Sequence, residues 1–316
     1  MTQQLNIEKC PVLERDQSIG STIIGQVMGT SLYGDAWNAY LILTGQADDF
    51  EVTQMMQRGQ LAEPFMIGRA NEILKEDPQT FGVTADEVQE FNLRFVPCDT
   101  ISATVNDVPC RSTPDAVLVF GEGSSSLDRY PVNHGSVYLE CKLRFWSDND
   151  LYENGPPMSD YDQCQWHMML GGGSTCYVVA WFGMARDVEI FRLDRDDKRI
   201  AECINAAFDF WYFNVLKNNP PTVNSSAACK QYLARQEERE ASRREFRDDE
   251  WALATDIAQA KEEIATLKER IEMWENMLRE SMGEMQELYV EGGKSKVTCK
   301  KPKNRETRTL RVSMKD

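Results

Sequence analysis

The sequence has no cysteine pair spaced as C-x-x-C and no run that approaches ~18 consecutive apolar residues. Its nine cysteines are odd in number and scattered over 316 residues. The scatter predicts reduced thiols in a cytosolic compartment and argues against a zinc or iron–sulfur site. The N-terminus also lacks a basic segment followed by an apolar one, so we expect neither secretion nor a membrane partner.

Positive charge is scarce as well. The chain has 35 Lys and Arg against 51 Asp and Glu, which gives a net charge of −16. Such a balance argues against a protein that coats nucleic acid over its whole surface. Residues 294–316, however, hold nine basic and two acidic residues (+7), which leaves −23 on residues 1–293. This basic tail can contact DNA phosphates or stay solvated, and composition leaves both readings open.

Two acids and a lysine near the middle of the chain are the first functional candidates. Asp115 follows Thr113-Pro114 and opens an apolar run, and Glu140 and Lys142 lie in a second run at 137–144. The runs predict two strands joined by a hairpin loop, with Glu140 and Lys142 on one face and Cys141 on the core face. Carboxylates with an amine suit Mg²⁺-assisted attack of water on a phosphodiester. An acid-x-Lys pair alone is weak support, because such pairs are common on solvated strand faces.

Other candidates come from helical patterns. Ser21 or Thr22 is expected to cap a helix that ends near Gly29, and Arg15 before it suggests an anion site for a terminal phosphate. Glu63 falls one turn into a predicted helix over 59–74, as a dipole-favoured acid or as a third acid of the site.

A further helix is predicted over 161–170 and contains Gln163 and His167. Gln163 is either a surface glutamine or a partner of a phosphate or of the site carboxylates. For His167, which has no second metal ligand beside it, we favour a surface or packed residue over a catalytic one.

Taken in order, these segments resemble the YqaJ viral recombinase family, the phage exonuclease branch of the PD-(D/E)XK nucleases that includes the lambda exonuclease type. The matching segments span roughly residues 15–221. They are Arg15 with Ile19-Gly20-Ser21, Gly59-x-x-x-Glu63-Pro64, Thr113-Pro114-Asp115, Glu140-Cys141-Lys142 and Tyr161-x-Gln163-x-Gln165-Trp166. We expect a mixed α/β fold from this resemblance, with a central, mostly antiparallel five-stranded sheet flanked by helices.

The resemblance also implies a role for each matching residue. Asp115, Glu140 and the backbone carbonyl of Cys141 would bind Mg²⁺, with Mn²⁺ as an alternative, and Glu63 would complete the acidic cluster directly or through a water. Lys142 would position or activate the attacking water. Arg15, Ser21, Thr113 and Gln163 match positions that hold a 5′-phosphate or order the site. Because the spacing from Arg15 to Ser21 varies in the family, Thr22 is an alternative hydroxyl.

The C-terminal third has a different pattern. A heptad repeat runs through Ile257, Ile264, Ile271, Leu278 and Met285 at one position and Leu253, Ala260, Leu267, Trp274 and Leu288 at the other. Ser281 interrupts the second series, and the adjacent Met282 is an apolar substitute for it. About five heptads predict a long helix that packs against a second subunit, against a preceding helix at about 227–247, or against the nuclease body. The predicted domains are therefore an exonuclease domain (1–222), a helical coiled-coil extension (223–290) and a basic tail with a small hairpin (291–316).

The function implied by the resemblance is 5′→3′ degradation of linear double-stranded DNA in a phage or prophage setting, within the bacterial cytoplasm. The expected partners are DNA ends, a single-strand annealing protein and further copies of the chain in a trimeric ring. Two alternatives stay open. One is an endonuclease or an end-trimming nuclease of the CRISPR-associated kind, and the other is a non-catalytic DNA-binding scaffold assembled through the coiled coil.

Overall fold

The computed structural model describes residues 5–48, 53–121, 131–132, 135–183, 187–235, 244–290, 293–301 and 307–314. The chain falls into two compact units, Met1–Gln236 and Glu237–Asp316. Each unit is described by itself below. The predicted loop between the strands that carry Asp115 and Glu140 lies mostly outside the described residues.

The first unit contains seven α-helices within its described residues, and the second contains one. The helices are α1 (Ser21–Val27), α2 (Ala36–Leu43), α3 (Gln54–Glu76), α4 (Ala85–Glu90), α5 (Met158–Gly171), α6 (Asp197–Asp209), α7 (Ala227–Ala234) and α8 (Asp248–Met282). A π-helical stretch, Phe210–Val215, continues α6, and 3₁₀ turns occupy Arg15–Gln17, Pro78–Phe81 and Trp146–Tyr152.

The strands form three sheets. They are β1 (Ile7–Lys9), β2 (Ile19–Gly20), β3 (Arg94–Pro97), β4 (Ile101–Val105), β5 (Val108–Ser112), β6 (Ala116–Val119), β7 (Pro131–Val132), β8 (Gly135–Leu143), β9 (Gly173–Trp181), β10 (Glu189–Asp194), β11 (Glu287–Tyr289), β12 (Lys296–Lys300) and β13 (Thr309–Ser313). The first unit holds the first two sheets, and β11–β13 belong to the second unit.

The central sheet has the strand order β10-β9-β8-β6-β3, and the short β7 pairs with β8 outside this path. Only the pair β8 and β9 is parallel, and helix α5 connects these two strands. The other neighbours along the path are antiparallel, including β6 with β8 in the register Ala116 opposite Leu139. The expectation of a mixed α/β fold with a mostly antiparallel central sheet is confirmed, but this sheet has six strands rather than five, because β7 adds to the five strands of the path.

The second sheet, with the order β1-β4-β5-β2, was not predicted. Its centre is a hairpin whose turn is Asn106-Asp107, and both residues have positive φ, 49° and 66°. Asparagine and aspartate tolerate this conformation in two-residue turns. The sequence before this turn favours a strand, because three of the five residues of β4 (Ile101, Thr104 and Val105) are β-branched.

Helices α3 and α5 cover opposite faces of β8. Val137 and Leu139 pack into one core with Met66 of α3, while Tyr138 packs into another with Cys164 of α5. The alternation predicted for residues 137–144 is therefore confirmed. It directs Glu140 and Lys142 toward α5.

Three consecutive glycines make room for Tyr138 where α5 leads into β9. Gly172 ends α5 with φ of 69°, a left-handed conformation that glycine adopts without steric cost. A Cβ on Gly171 would lie 1.9 Å from Tyr138 Oη, and one on Gly173 would lie 2.6 Å from Tyr138 Cε2. The Tyr138 hydroxyl donates a 2.9 Å hydrogen bond to the Gly171 carbonyl. The tyrosine thereby fixes the end of α5 against β8.

Two helix starts differ from the prediction. Helix α1 has Gly20 as its N-cap and Ser21 as its first residue, so neither Ser21 nor Thr22 caps it. Helix α3 begins at Gln54 and is capped by Thr53. Glu63 therefore lies well inside α3, and the explanation of Glu63 as an acid at the helix start was wrong.

The extension also differs from the prediction. The expected helix at about 227–247 is α7, which ends at Ala234 and packs in the core of the first unit, while residues 244–247 are not helical and 236–243 lie outside the described residues. Helix α8 ends at Met282 before Gly283. The last two heptad residues are therefore not helical: Met285 follows the helix, and Leu288 lies in β11. The predicted hairpin in the basic tail is present as β12 and β13.

All nine cysteines are free thiols, as predicted. Among the described residues, no helix is both long enough and apolar enough to span a membrane.

We expect Gly171→Ala to lower the free energy of unfolding by about 1–3 kcal/mol, because the new methyl group overlaps the Tyr138 ring. Gly68→Ala is the matched control. Gly68 lies within α3 with no atom near its Cβ position, so this change should stabilise the helix by about 0.5–1 kcal/mol. Urea unfolding of both variants measures the difference, and equal stability of the two would contradict the close approach.

Candidate functional site

The first two acids meet where β6 begins beside β8. Asp115 directly precedes β6, and its backbone N–H donates to the Leu139 carbonyl at 3.1 Å. One of its carboxylate oxygens accepts a 2.6 Å hydrogen bond from the Cys141 N–H. Because the N–H and C=O of one strand residue point to the same side, the Cys141 carbonyl faces the Asp115 side of β8 as well. Asp115, Glu140 and the Cys141 backbone are therefore neighbours.

Glu140 is a buried carboxylate with three side-chain partners. Its Oε1 accepts from Lys142 Nζ at 2.7 Å and from Gln163 Nε2 at 2.8 Å. Its Oε2 lies 2.9 Å from His167 Nε2. An ionised carboxylate only accepts hydrogen bonds, so His167 Nε2 carries the proton in this contact. The partners of Glu140 come from its own strand and from α5.

The ammonium group of Lys142 lies between acids. Besides Glu140, it donates to Gln163 Oε1 at 2.8 Å, and it lies 3.8 Å from Asp160 Oδ1. Asp160 is buried and forms a bidentate pair with Arg144 at 2.7 and 2.9 Å, and it also accepts from the Tyr152 hydroxyl. Glu140 and Lys142, the two charged residues of β8, thus each have partners of opposite charge.

These contacts shift the ionisation of the cluster. Burial alone would raise the pKa of Glu140, but the charge of Lys142 and the His167 hydrogen bond lower it to about 2. Burial would lower the pKa of Lys142, and Glu140 and Asp160 raise it well above its usual value. Lys142 is therefore an ammonium ion at neutral pH in this structure. Burial and then the charge of Glu140 raise the pKa of Asp115 well above its usual range.

Glu63 approaches the same acids from α3. Its pKa is raised by burial and by the charge of Glu140, and its charge in turn contributes to the raised pKa of Asp115. The structure thus brings three acids close enough to repel one another. This mutual repulsion is the electrostatic feature that a bound cation would relieve.

His167 is the residue that sequence reasoning undervalued. It is fully buried, and its Nδ1 lies 2.5 Å from Ser112 Oγ while Nε2 contacts Glu140. Since Nε2 carries the proton, the serine hydroxyl donates to Nδ1 if the imidazole is neutral. The histidine is packed, as one reading of the sequence held, but it also orients the site carboxylate.

A helical stripe would have revealed this contact. Asp160, Gln163 and His167 are spaced i, i+3, i+7 along α5, which places them on one face of the helix. All three contact the Glu140–Lys142 cluster. Our sequence-based hypothesis that Gln163 bonds the site carboxylates is confirmed by its hydrogen bond to Glu140.

The other candidates lie apart from this cluster. Arg15 is exposed, and its pKa is lowered by partial shielding of its guanidinium and by the nearby charge of Arg111. Ser21 is buried at the start of α1, and Thr22 is exposed. Thr113 is exposed, with its hydroxyl 2.8 Å from that of Thr100. Arg111 and Ser112 are consecutive in β5 and point to opposite faces, so the arginine pair lies across this strand from His167.

Within the described ranges, no three His, Cys, Asp or Glu side chains already converge in the manner of a metal site. The donor set still fits a hard divalent cation, because it consists of carboxylate oxygens and a backbone carbonyl. The raised pKa values of Asp115 and Glu63, each due in part to the nearby charge of Glu140, are the observation on this structure that favours a cation there.

Comparison with known proteins gave distant likenesses only. No family model matches the chain, and no curated protein matches it. The structure is similar to an alkaline exonuclease from Laribacter hongkongensis, with 16% identity over 70% of this chain and 94% of that one and a TM-score of 0.44. It is also similar to a phage-related exonuclease from Haemophilus somnus 129PT, with 13% identity, 64% and 96% coverage and a TM-score of 0.38. Both are exonucleases, the class named by the sequence resemblance, but at this distance they assign no activity to this chain.

The lowered pKa of Glu140 predicts how stability depends on pH. Its folded pKa of about 2 lies below the ordinary value of about 4.3, so ionised Glu140 stabilises the fold above pH ~4.3. That contribution is lost as the pH falls toward 2. We expect the gap in unfolding free energy between wild type and Glu140→Gln to narrow over this window by on the order of 3 kcal/mol.

Denaturant unfolding in the presence of a chelator at several pH values measures this gap. Glu90→Gln, at an exposed position of α4, serves as the control, for which the gap should stay constant. A gap for Glu140→Gln that does not change with pH would rule out the ion pair with Lys142 as described.

Proposed function

We propose that this chain is a metal-dependent nuclease that degrades linear double-stranded DNA from its 5′ ends and leaves 3′ single strands. The observation that carries the proposal is the cluster of Asp115, Glu140 and Lys142 at the junction of β6 and β8, with Glu63 close by. Carboxylate oxygens beside a fixed ammonium group suit hydrolysis of a phosphodiester. We accordingly propose that this unit is a PD-(D/E)XK nuclease core.

The cation in this proposal is Mg²⁺, with Mn²⁺ as an alternative. Asp115, Glu140 and the Cys141 carbonyl would hold it, and Glu63 would complete the set directly or through a water. When bound, such an ion polarises the scissile phosphate and lowers the pKa of water. Asp115 already has one oxygen engaged with the Cys141 N–H, which fixes the carboxylate beside the Cys141 carbonyl.

Lys142 acts in this scheme as a charged, positioned donor. Its ammonium group is held by Glu140 and Gln163, and its raised pKa keeps the proton on the nitrogen. A fixed positive charge of this kind orients a water molecule and stabilises negative charge that develops on the phosphate. Of the two roles that the sequence left open, the charge environment supports positioning rather than proton abstraction.

Recognition of the 5′-phosphate would fall to Arg15 and its neighbours. Two guanidinium groups, Arg15 and Arg111, lie near enough for one to lower the pKa of the other. A phosphate between them would relieve this repulsion and accept hydrogen bonds from both. Ser21 or Thr22 would add a hydroxyl, and Thr113 would help to order the approach to Asp115.

The wider setting rests on the resemblance. We propose that the protein works in the cytoplasm of a phage-infected or lysogenic bacterium and passes 3′ single strands to an annealing protein. A trimeric ring around DNA is the assembly that the resemblance suggests. The basic strands β12 and β13 are a second candidate contact for DNA phosphates.

Lys142→Ala should lower the rate of hydrolysis of linear duplex DNA with Mg²⁺ by at least about 100-fold, because a donor fixed at the developing charge is lost. Lys198→Ala, at an exposed lysine of α6, is the matched control and should retain the wild-type rate. Gel analysis of end-labelled DNA reports which strand is shortened and from which end. Equal rates for the two variants would remove Lys142 from the site.

Dependence on a 5′-phosphate tests the second part of the proposal. Wild type should degrade 5′-phosphorylated DNA faster than 5′-hydroxyl DNA, and Arg15→Gln should abolish most of this preference while leaving hydrolysis of 5′-hydroxyl DNA unchanged. Arg192→Gln, at an exposed arginine of β10, should keep the preference.

A covalently closed circle distinguishes the exonuclease from its alternatives. The circle should survive in the presence of wild-type protein, and its cleavage would indicate an endonuclease. Survival of linear DNA with every variant, wild type included, would exclude the nuclease altogether and leave the scaffold function.

A further inference from the structure

Helix α8 has an apolar seam along one side. In heptad notation, Ile257, Ile264 and Ile271 occupy position a, and Leu253, Ala260, Leu267 and Trp274 occupy position d. The six large residues of this seam are 48% to 62% exposed. At 1.5 Å per residue, the 35-residue helix is about 52 Å long. A stripe of this length, apolar at every a and d position from 253 to 274, is the feature of the second unit that lacks an explanation within its own fold.

The C-terminal end of α8 is covered by the small sheet of the second unit, and this cover sets the end of the exposed seam. Met282 is buried against Cys299 of β12 and Leu310 of β13, and Leu278 packs against the same cluster. The three-stranded sheet therefore covers the helix from Leu278 onward. The exposed seam ends at Trp274.

The charged residues on both sides of the seam indicate which helix can pair with it. In a parallel, in-register pair, each g residue faces the e residue five positions later on the other helix. The three charged pairs in this arrangement are Asp256 with Lys261, Glu263 with Lys268, and Arg270 with Glu275. Each pair joins opposite charges.

Within the described part of the chain, Asp256, Lys261, Glu263 and Lys268 form no ion pair. An antiparallel pairing with Ile264 opposite Leu267 would instead bring Lys261 of one helix beside Lys268 of the other, and this repulsion would offset the attraction between Glu263 and Arg270. The charge pattern thus selects the parallel arrangement over this antiparallel one.

We propose that α8 pairs with α8 of a second copy of this chain as a parallel, in-register, two-stranded coiled coil over residues 253–274. Isoleucine at all three a positions, with leucine at two of the four d positions, favours two strands over three or four. The proposal does not depend on the proposed nuclease activity. In this proposal α8 joins two chains, whereas the resemblance suggests an assembly of three.

Crosslinking of the full-length protein tests both the partner and the register. Position d residues of a parallel pair face each other across the coil axis, within disulfide reach. Ala260→Cys should therefore form disulfide-linked pairs of chains under mild oxidation, reversible by a thiol. Ala258→Cys, at the outward position b, is the matched control and should give no more disulfide-linked pairs than the wild type. The wild-type yield measures any crosslinking through the native cysteines. Equal yields from the two variants would overturn the proposal.

The mass in solution provides a second, independent test. Light scattering of the wild type should give a mass that halves in Ile264→Lys, because a charge at position a opens the seam. Thr266→Lys, at the outward position c, should keep the wild-type mass. A wild-type mass of one chain, or a mass of three chains that depends on Ile264, would overturn the two-stranded pairing.

Discussion

The structure of the first unit depends on the neutralisation of one buried carboxylate, Glu140. A charged group on a central strand is costly unless every lone pair finds a donor. Lys142 supplies the counter-charge from two residues along the same strand, while Gln163 and His167 supply donors from α5. This arrangement requires α5 to lie across β8 in one register. The contacts that offset the cost of burying the Glu140 carboxylate therefore also define the geometry of the candidate site.

The position of α5 is secured by two further acid pairs. Asp160 is paired with Arg144, which directly follows β8, and the fully buried Asp162 is held by Arg199 of α6 at 2.7 and 2.9 Å and by the Thr30 hydroxyl at 2.6 Å. Tyr138 fixes the C-terminal end of the helix beneath Gly171 and Gly173. These contacts join α5 to β8 below it, to α6 and to the segment after α1. The helix is therefore rigid on the side that presents Gln163 and His167 to the acids.

Much of this could be predicted from the sequence, and the misses have physical reasons. Period-2 alternation located β8 and the common face of Glu140 and Lys142, because one face of that strand is apolar. His167 was missed as a site residue because it was considered as a metal ligand by itself and not together with Asp160 and Gln163 on the same face of α5. Its importance comes from the carboxylate that it meets, which lies 27 residues away. The hairpin of β4 and β5 was missed because its turn is Asn-Asp rather than a glycine turn.

The heptad pattern predicted the existence of the C-terminal helix but not where it ends. The heptad signal correctly predicted a long helix, yet it was extended through Leu288, because Leu288 has the same apolar character in a strand as in a helix. Gly283 and the small sheet decide the end of α8. No residue of the repeat itself carries that information.

The order of the site residues along the chain has a consequence for synthesis on the ribosome. Glu63 emerges early, but its partners Glu140 and His167 follow much later, and at about 5–20 residues per second the span from residue 63 to residue 167 takes about 5–20 s. Until residue 143 has left the exit tunnel, α3 has no complete β8 to pack against, and until residue 167 has followed, Glu140 lacks its histidine. A nascent chain therefore carries all of its acids but no assembled site, and any cleavage competence would appear only when the crossover from β8 through α5 to β9 has closed.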